Sequence, residues 1–157
     1  MIDPQEQASL NQALELFHFA FRAFTLGPDA VLAEQGLQRV HHRILYFVGR
    51  YPDLSINDLL GILSVSKQAL NAPLRRLLEL NLIQANQDPQ DRRIKRLQLT
   101  ESGHQLEQRL SGSQRELMAK VFAHHGTPSE TAWREIMGTI ADWQLPAARR
   151  ASTPRAE

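Results

Sequence analysis

The peptide Asp-Pro-Gln-acid occurs twice in this chain, in two settings that demand opposite folds. "DPQE" at Asp3 to Glu6 precedes "QASLNQAL", with leucines four residues apart, whereas "DPQD" at Asp88 to Asp91 precedes "RRIKRLQLT". Asp before Pro suits a helix start, the Asp as cap and the Pro in the first turn. The downstream residues decide between helix and turn. Leucines at a spacing of four continue a helix, while Leu97 and Leu99 alternate with Arg96 and Gln98 at the period of a strand. The first copy therefore opens a helix. The second, Asp88 to Arg93, is the tip of a hairpin that carries Arg92 and Arg93 into solvent. Its first strand is "NLIQANQ". The loop is longer than a two-residue turn, so its type stays open.

Helical patterns fill the rest. Leu10, Leu14, Phe17, Phe21 and Phe24 form a stripe on a first helix, which "GPD" at Gly27 to Asp29 is expected to end. A second helix runs over about residues 37–50, with Val40, Ile44, Phe47 and Val48 on one face. Ser55 caps a short third helix, "INDLLGIL", with Asp58 in its third position. Ser66 caps a fourth, from Lys67 to about Leu80, with Leu70, Leu74, Leu77 and Leu78 inward and Lys67, Gln68, Asn71 and Arg75 outward. Pro73 inside it removes one backbone hydrogen bond, costs about 3 kcal/mol if uncompensated, and predicts a kink near Ala69. Thr100 caps a fifth helix with Leu106, Leu110, Leu117 and Val121 on one stripe, weakened in the middle by Gly112. Thr127, Pro128 and Glu130 form a capping box for a sixth, bearing Trp133, Ile136, Met137, Ile140 and Trp143. The tail, residues 147–157, has no apolar stripe and is expected to be disordered. The order helix, turn, helix, strand, tip, strand is that of a winged helix-turn-helix, a mainly α fold with a small β-hairpin wing (α+β).

Bulk properties exclude several classes. The chain has 157 residues and no cysteine, so disulfides, thiolate zinc sites and thiol redox chemistry are ruled out. No apolar run approaches a membrane span, and no basic segment followed by an apolar one opens the chain. A soluble cytoplasmic protein is expected, with no membrane partner. Net charge is +1, but residues 67–96 hold seven basic and three acidic side chains, a surplus that points weakly to a polyanion.

The segment "LLGILSVSKQALNAPLRRLLELNLIQANQDPQDRRIKRLQLTESG", Leu59 to Gly103, resembles the MarR family of transcriptional regulators. Its most specific match is the wing pattern Asp-Pro-x-Asp-Arg-Arg, a strand, then Leu-Thr-x-x-Gly. "LLELNLI" matches the end of the family's recognition helix and the strand after it. The resemblance implies that residues 1–36 and 101–146 are dimerisation helices and residues 37–100 the DNA-binding lobe. It further implies a homodimer on a pseudo-palindromic duplex operator, repression by occlusion, and relief by a small-molecule effector. Ser64 stands where the family often has glycine, and Leu60 where it usually has a small residue.

The expected double-stranded DNA contacts are Ser66, Lys67, Gln68, Asn71, Arg75 and Arg76 on the fourth helix, and Asp88, Asp91, Arg92, Arg93 and Lys95 on the wing. Gln and Asn suit adenine, and Arg suits guanine or phosphate. Arg92 is the choice for the minor groove, with Asp88 or Asp91 as orienting partner, while Arg93 pairs within the protein. Each set also reads as an ordinary solvated face. Phe17, His18, Phe21, His41 and His42 are candidates for an effector pocket. No metal or other cofactor is expected: the six histidines include no pair at a spacing of four on one helix. No catalytic motif is present, and a charged hairpin tip offers no pocket to raise a carboxylate pKa. Two alternatives stand beside the DNA reading: a winged helix that docks on a protein, and a metal-responsive regulator on the same scaffold.

Overall fold

A computed structural model describes residues 2–144; the tail expected to be disordered lies outside the described residues. The elements are α1 (Pro4–Glu34), α2 (Arg39–Arg50), β1 (Leu54–Ser55), α3 (Ile56–Leu63), α4 (Lys67–Glu79), β2 (Ile83–Gln87), β3 (Lys95–Leu99), α5 (Glu101–His125) and α6 (Thr127–Gln144). The expected mainly α fold with a hairpin wing is the one observed. The three strands form an antiparallel sheet in the order β1-β3-β2. β1 escapes a periodicity argument because two residues have no period; it places Leu54 opposite Leu97.

One core joins these elements. Ile44, Leu45 and Val48 of α2 meet Leu59 of α3, Leu70, Leu74 and Leu77 of α4, Ile83, Leu97 and Leu99 of the sheet, and Leu106 and Leu110 of α5. Three hydroxyls start its helices: Ser55 accepts from Asp58 N (3.0 Å), Ser66 from Ala69 N (3.1 Å) and Thr100 from Gly103 N (3.0 Å). Asn81, at φ 55°, ends α4: Leu82 N reaches Leu77 O and Asn81 N reaches Leu78 O, both at 3.0 Å. Ser64 takes the left-handed conformation at φ 52°, in the turn where the family resemblance places glycine.

Two local expectations are corrected. Gly27 to Asp29 does not end α1, which continues to Glu34 with Pro28 inside it. The stop is Gly36, at φ 64°, where Leu37 N bonds Leu32 O (2.9 Å). Pro28 is tolerated because the carbonyl it deprives, that of Phe24, accepts from Gln114 Nε2 of α5 at 3.1 Å. α4 runs from Lys67 to Glu79 with Pro73 inside it, close to its expected extent, and the missing N–H frees the carbonyl of Ala69, a solvent-exposed residue within reach of water. At α6, Thr127 is the first helical residue rather than the cap, and the Glu130 carboxylate binds Arg134 (2.6 Å) instead of closing a capping box.

Gly103 lies where the wing passes into α5. A Cβ at this position would overlap the Leu82 carbonyl oxygen, which already accepts from Thr100 N (3.1 Å). The glycine of the "LTESG" stretch thus lets α5 start directly against the end of α4. Gly103→Ala should destabilise the fold by more than about 3 kcal/mol in urea denaturation. Gly61→Ala, where a Cβ meets nothing within 4 Å, should instead stabilise by up to about 1 kcal/mol.

Candidate nucleic-acid interface

The register of α4 sorts its side chains into two faces. With Leu70, Leu74 and Leu77 buried, Lys67, Gln68, Asn71, Arg75 and Arg76 are all exposed. Lys67, Asn71 and Arg75 follow at steps of four and so lie along one line, with Gln68 beside it. Ser66 keeps its hydroxyl proton, since its oxygen accepts from Ala69 N. Arg75 lies 3.8 Å from Glu79, a loose surface pair that leaves its guanidinium 67% exposed.

The wing tip is built by two aspartates. Asp88 Oδ1 accepts from Gln90 N (2.8 Å) and Asp91 N (3.0 Å), turning the chain at Pro89. Asp91 Oδ1 accepts from Arg93 N (3.0 Å) and turns it again. Asp88 N to Ile94 O (2.9 Å) and Ile94 N to Asp91 O (3.0 Å) close the loop. The first copy of the motif makes the same local bond, from Gln5 N to Asp3 Oδ2 (3.2 Å), yet continues as helix.

The remaining carboxylate oxygens hold arginines. Asp88 Oδ2 receives Arg96 Nε (2.9 Å), and Asp91 Oδ2 receives Arg93 Nη2 (2.9 Å). These guanidiniums, with the turn N–H groups, hold both carboxyls below the usual range. Arg93 therefore pairs within the protein, as expected. Neither carboxylate holds Arg92, which corrects its expected orienting partner. Arg92 is exposed at the tip and has no hydrogen bond or ion pair among the described residues. Lys95 is exposed on the adjoining strand.

Arg96 is the wing residue that pattern reading missed. It spans from Asp88 to the Asp53 carbonyl (3.5 Å), tying the wing to the corner before β1. Gln98 adds a bond to Asp53 Oδ1 (2.6 Å). The place of Arg96 after two arginines and a lysine gave no sign that it would turn back onto Asp88.

The five effector-pocket candidates separate. Phe21 and His42 line a cleft of about 160 Å³ with Phe24, Thr25, Arg39 and Gln114. Phe17 and His18 are exposed farther out on α1, His18 edge-on to Phe19. His41 is a structural cap whose Nδ1 accepts from Gln38 N (2.9 Å), and it is buried. His42 bonds Ser111 Oγ (2.9 Å), joining α2 to α5. Among the described residues no group of three His, Asp or Glu side chains is placed to hold a metal, and no helix is long and apolar enough to cross a membrane.

Burial lowers the pKa of both His41 and His42 below the ordinary 6.5. In this window the unfolded chain binds the extra protons, so stability rises with pH. The stabilisation is present above about pH 6.5 and is lost as pH falls through the lower folded-state values. The urea midpoint should therefore drop between about pH 7 and pH 5. His41→Gln should flatten that slope.

Residues 35–94 match the model of the MarR family. The HTH-type transcriptional regulator PetP of Rhodobacter capsulatus is 36% identical over 141 residues, spanning 90% of this chain and 83% of PetP. Two solved structures share the fold. Streptococcus pneumoniae FabT in complex with DNA has a TM-score of 0.71 at 18% identity, over 88% of this chain and 99% of that one. Staphylococcus aureus MarR in complex with salicylate and kanamycin has a TM-score of 0.70 at 18% identity, over 88% and 93%. The sequence match with PetP extends well beyond the winged lobe into the flanking helices. The chain belongs to the MarR family of winged helix-turn-helix transcriptional regulators, DNA-binding proteins rather than enzymes.

Proposed function

We propose that this regulator is a homodimer that occludes a pseudo-palindromic duplex operator and releases it when a small ligand fills the cleft beside α1. The observation that carries the reading is the exposed N-terminal arm of α1. Residues 4–23 are all exposed in the single chain, including Leu14 (69%) and Phe17 (53%) of its apolar stripe. At 1.5 Å per residue this arm projects about 30 Å beyond the body. An isolated arm of that kind is marginal in water, and its apolar stripe needs a partner. Trp133, Ile136 and Ile140 of α6 expose further apolar surface. A second copy supplies the complementary surface by two-fold symmetry, which gives two half-sites about 10 bp apart.

On each half-site α4 enters the major groove. Gln68 and Asn71 suit adenine edges, and Arg75 suits guanine or phosphate. Ser66, Lys67, Arg76, Arg93 and Lys95 contact phosphates, with Asp88 and Asp91 shaping the wing beneath them. Arg92, free at the tip, enters the minor groove. The cleft beside Phe21 and His42 joins aromatic rings to Arg43 and to an Arg39 already paired with Asp29, a lining that suits a small aromatic carboxylate held at Arg43. The salicylate complex of the S. aureus protein supports that ligand class.

Sedimentation velocity at micromolar protein should give a dimer, and a stable monomer would remove both the shared core and the palindrome. Arg92→Ala should weaken operator binding by about 1–3 kcal/mol with an unchanged urea midpoint. Unchanged affinity would take Arg92 off the contact surface.

A further inference from the structure

The weakest stretch of α1 lies where the helix leaves the body. Pro28 cannot donate to the Phe24 carbonyl, and Gly27 beside it adds backbone freedom. Thr25 Oγ1 bonds back to Phe21 O (2.9 Å) and Arg22 O (3.3 Å), a pattern that loosens and bends helices. Each weak point is held from outside. Gln114 Nε2 of α5 donates to Phe24 O (3.1 Å), and Arg39 Nη2 of α2 donates to Thr25 Oγ1 (3.2 Å) and Asp29 Oδ2 (2.7 Å). A carbonyl can only accept, so Gln114 presents its NH₂ there. Thr25, Arg39 and Gln114 also line the cleft beside Phe21 and His42. The groups that brace the arm are thus among those a ligand would touch.

We propose that Gly27–Pro28 is a hinge in the dimerisation arm, that Gln114 is its clamp, and that a carboxylate ligand releases the hinge by drawing Gln114 Nε2 away from Phe24 O. This rests on the cleft being the effector site. Gln114 is a positioning residue: it touches no DNA and acts by fixing the angle of α1, hence the separation of the two α4 helices. Kinks in helices arise where a proline meets an unsatisfied carbonyl, so loss of the clamp changes that angle.

The chemistry supplies its own control. In Pro28→Ala the alanine N–H can bond the Phe24 carbonyl within α1, and Gln114 becomes dispensable. Gln114→Leu should lower the melting temperature of the full-length protein by about 3–6 °C in the parent and by less than about 1 °C in Pro28→Ala. The same substitution should weaken operator binding several-fold in the parent only. Millimolar salicylate should weaken operator binding by the parent and lose that effect in Pro28→Ala. Equal effects of Gln114→Leu in the two backgrounds, on both melting and affinity, would overturn the clamp. A salicylate response retained in Pro28→Ala would overturn the ligand-driven release. A clamp seen in melting, with no variant bound by salicylate in calorimetry, would overturn the cleft reading and the release together while leaving the clamp standing.

Discussion

The carboxylate of Asp88 decides what the chain does after β2. One of its oxygens holds two consecutive backbone N–H groups, and the other holds Arg96, which reaches on to the Asp53 carbonyl. That anchor adds to the bonds from Asp88 N to Ile94 O and from Ile94 N to Asp91 O that close the loop. With it, β2 and β3 stay in register from Ile83 opposite Leu99 to Gln87 opposite Lys95. Asp3 makes a comparable bond to Gln5 N and starts a helix. The aspartate supplies a turn in both places, and the apolar period downstream determines what the turn leads into.

The route from wing to arm runs through short, stiff contacts. Thr100 caps α5 and also donates to Asn81 O (2.7 Å), while Gly103 sits against Leu82. His42 joins α2 to Ser111 of α5, and Gln114, three residues further on, reaches Phe24 of α1. α5 is therefore the bar that connects the winged lobe to α1. Beside this bar lies the cleft, lined by groups from α1, α2 and α5 together. A fold that couples a ligand to the separation of two recognition helices needs such a shared element.

Much of this was legible in the residues. Three hydroxyl caps, the inner and outer faces of α4 and the wing follow from side-chain chemistry and period alone. Failures came where a distant partner overrode a local rule. Gly27-Pro28 is a sound stop signal, and the groups that brace the helix through it, Gln114 and Arg39, lie beyond it on other helices. The true stop, Gly36, carried less local signal than the Gly-Pro pair before it. Asp88 and Asp91 looked equally free to orient Arg92, because nothing in "DPQDRRIKR" tells which arginine folds back; the hairpin brings Arg96 across to Asp88 and leaves Arg92 free. His41 and His42, adjacent and alike in sequence, have separate roles because neighbouring helix positions face different elements.

In the proposed function α4 and the wing bind duplex DNA with sequence preference through several phosphates. Fluorescence anisotropy with labelled duplex from the gene's own upstream region, over a range of salt and against scrambled competitor, tests it most directly. The account predicts selective binding whose log affinity falls linearly with log salt, at about 0.9 per phosphate neutralised. Equal binding to both duplexes with no salt slope would contradict it, and would place the partner of this winged helix among proteins instead.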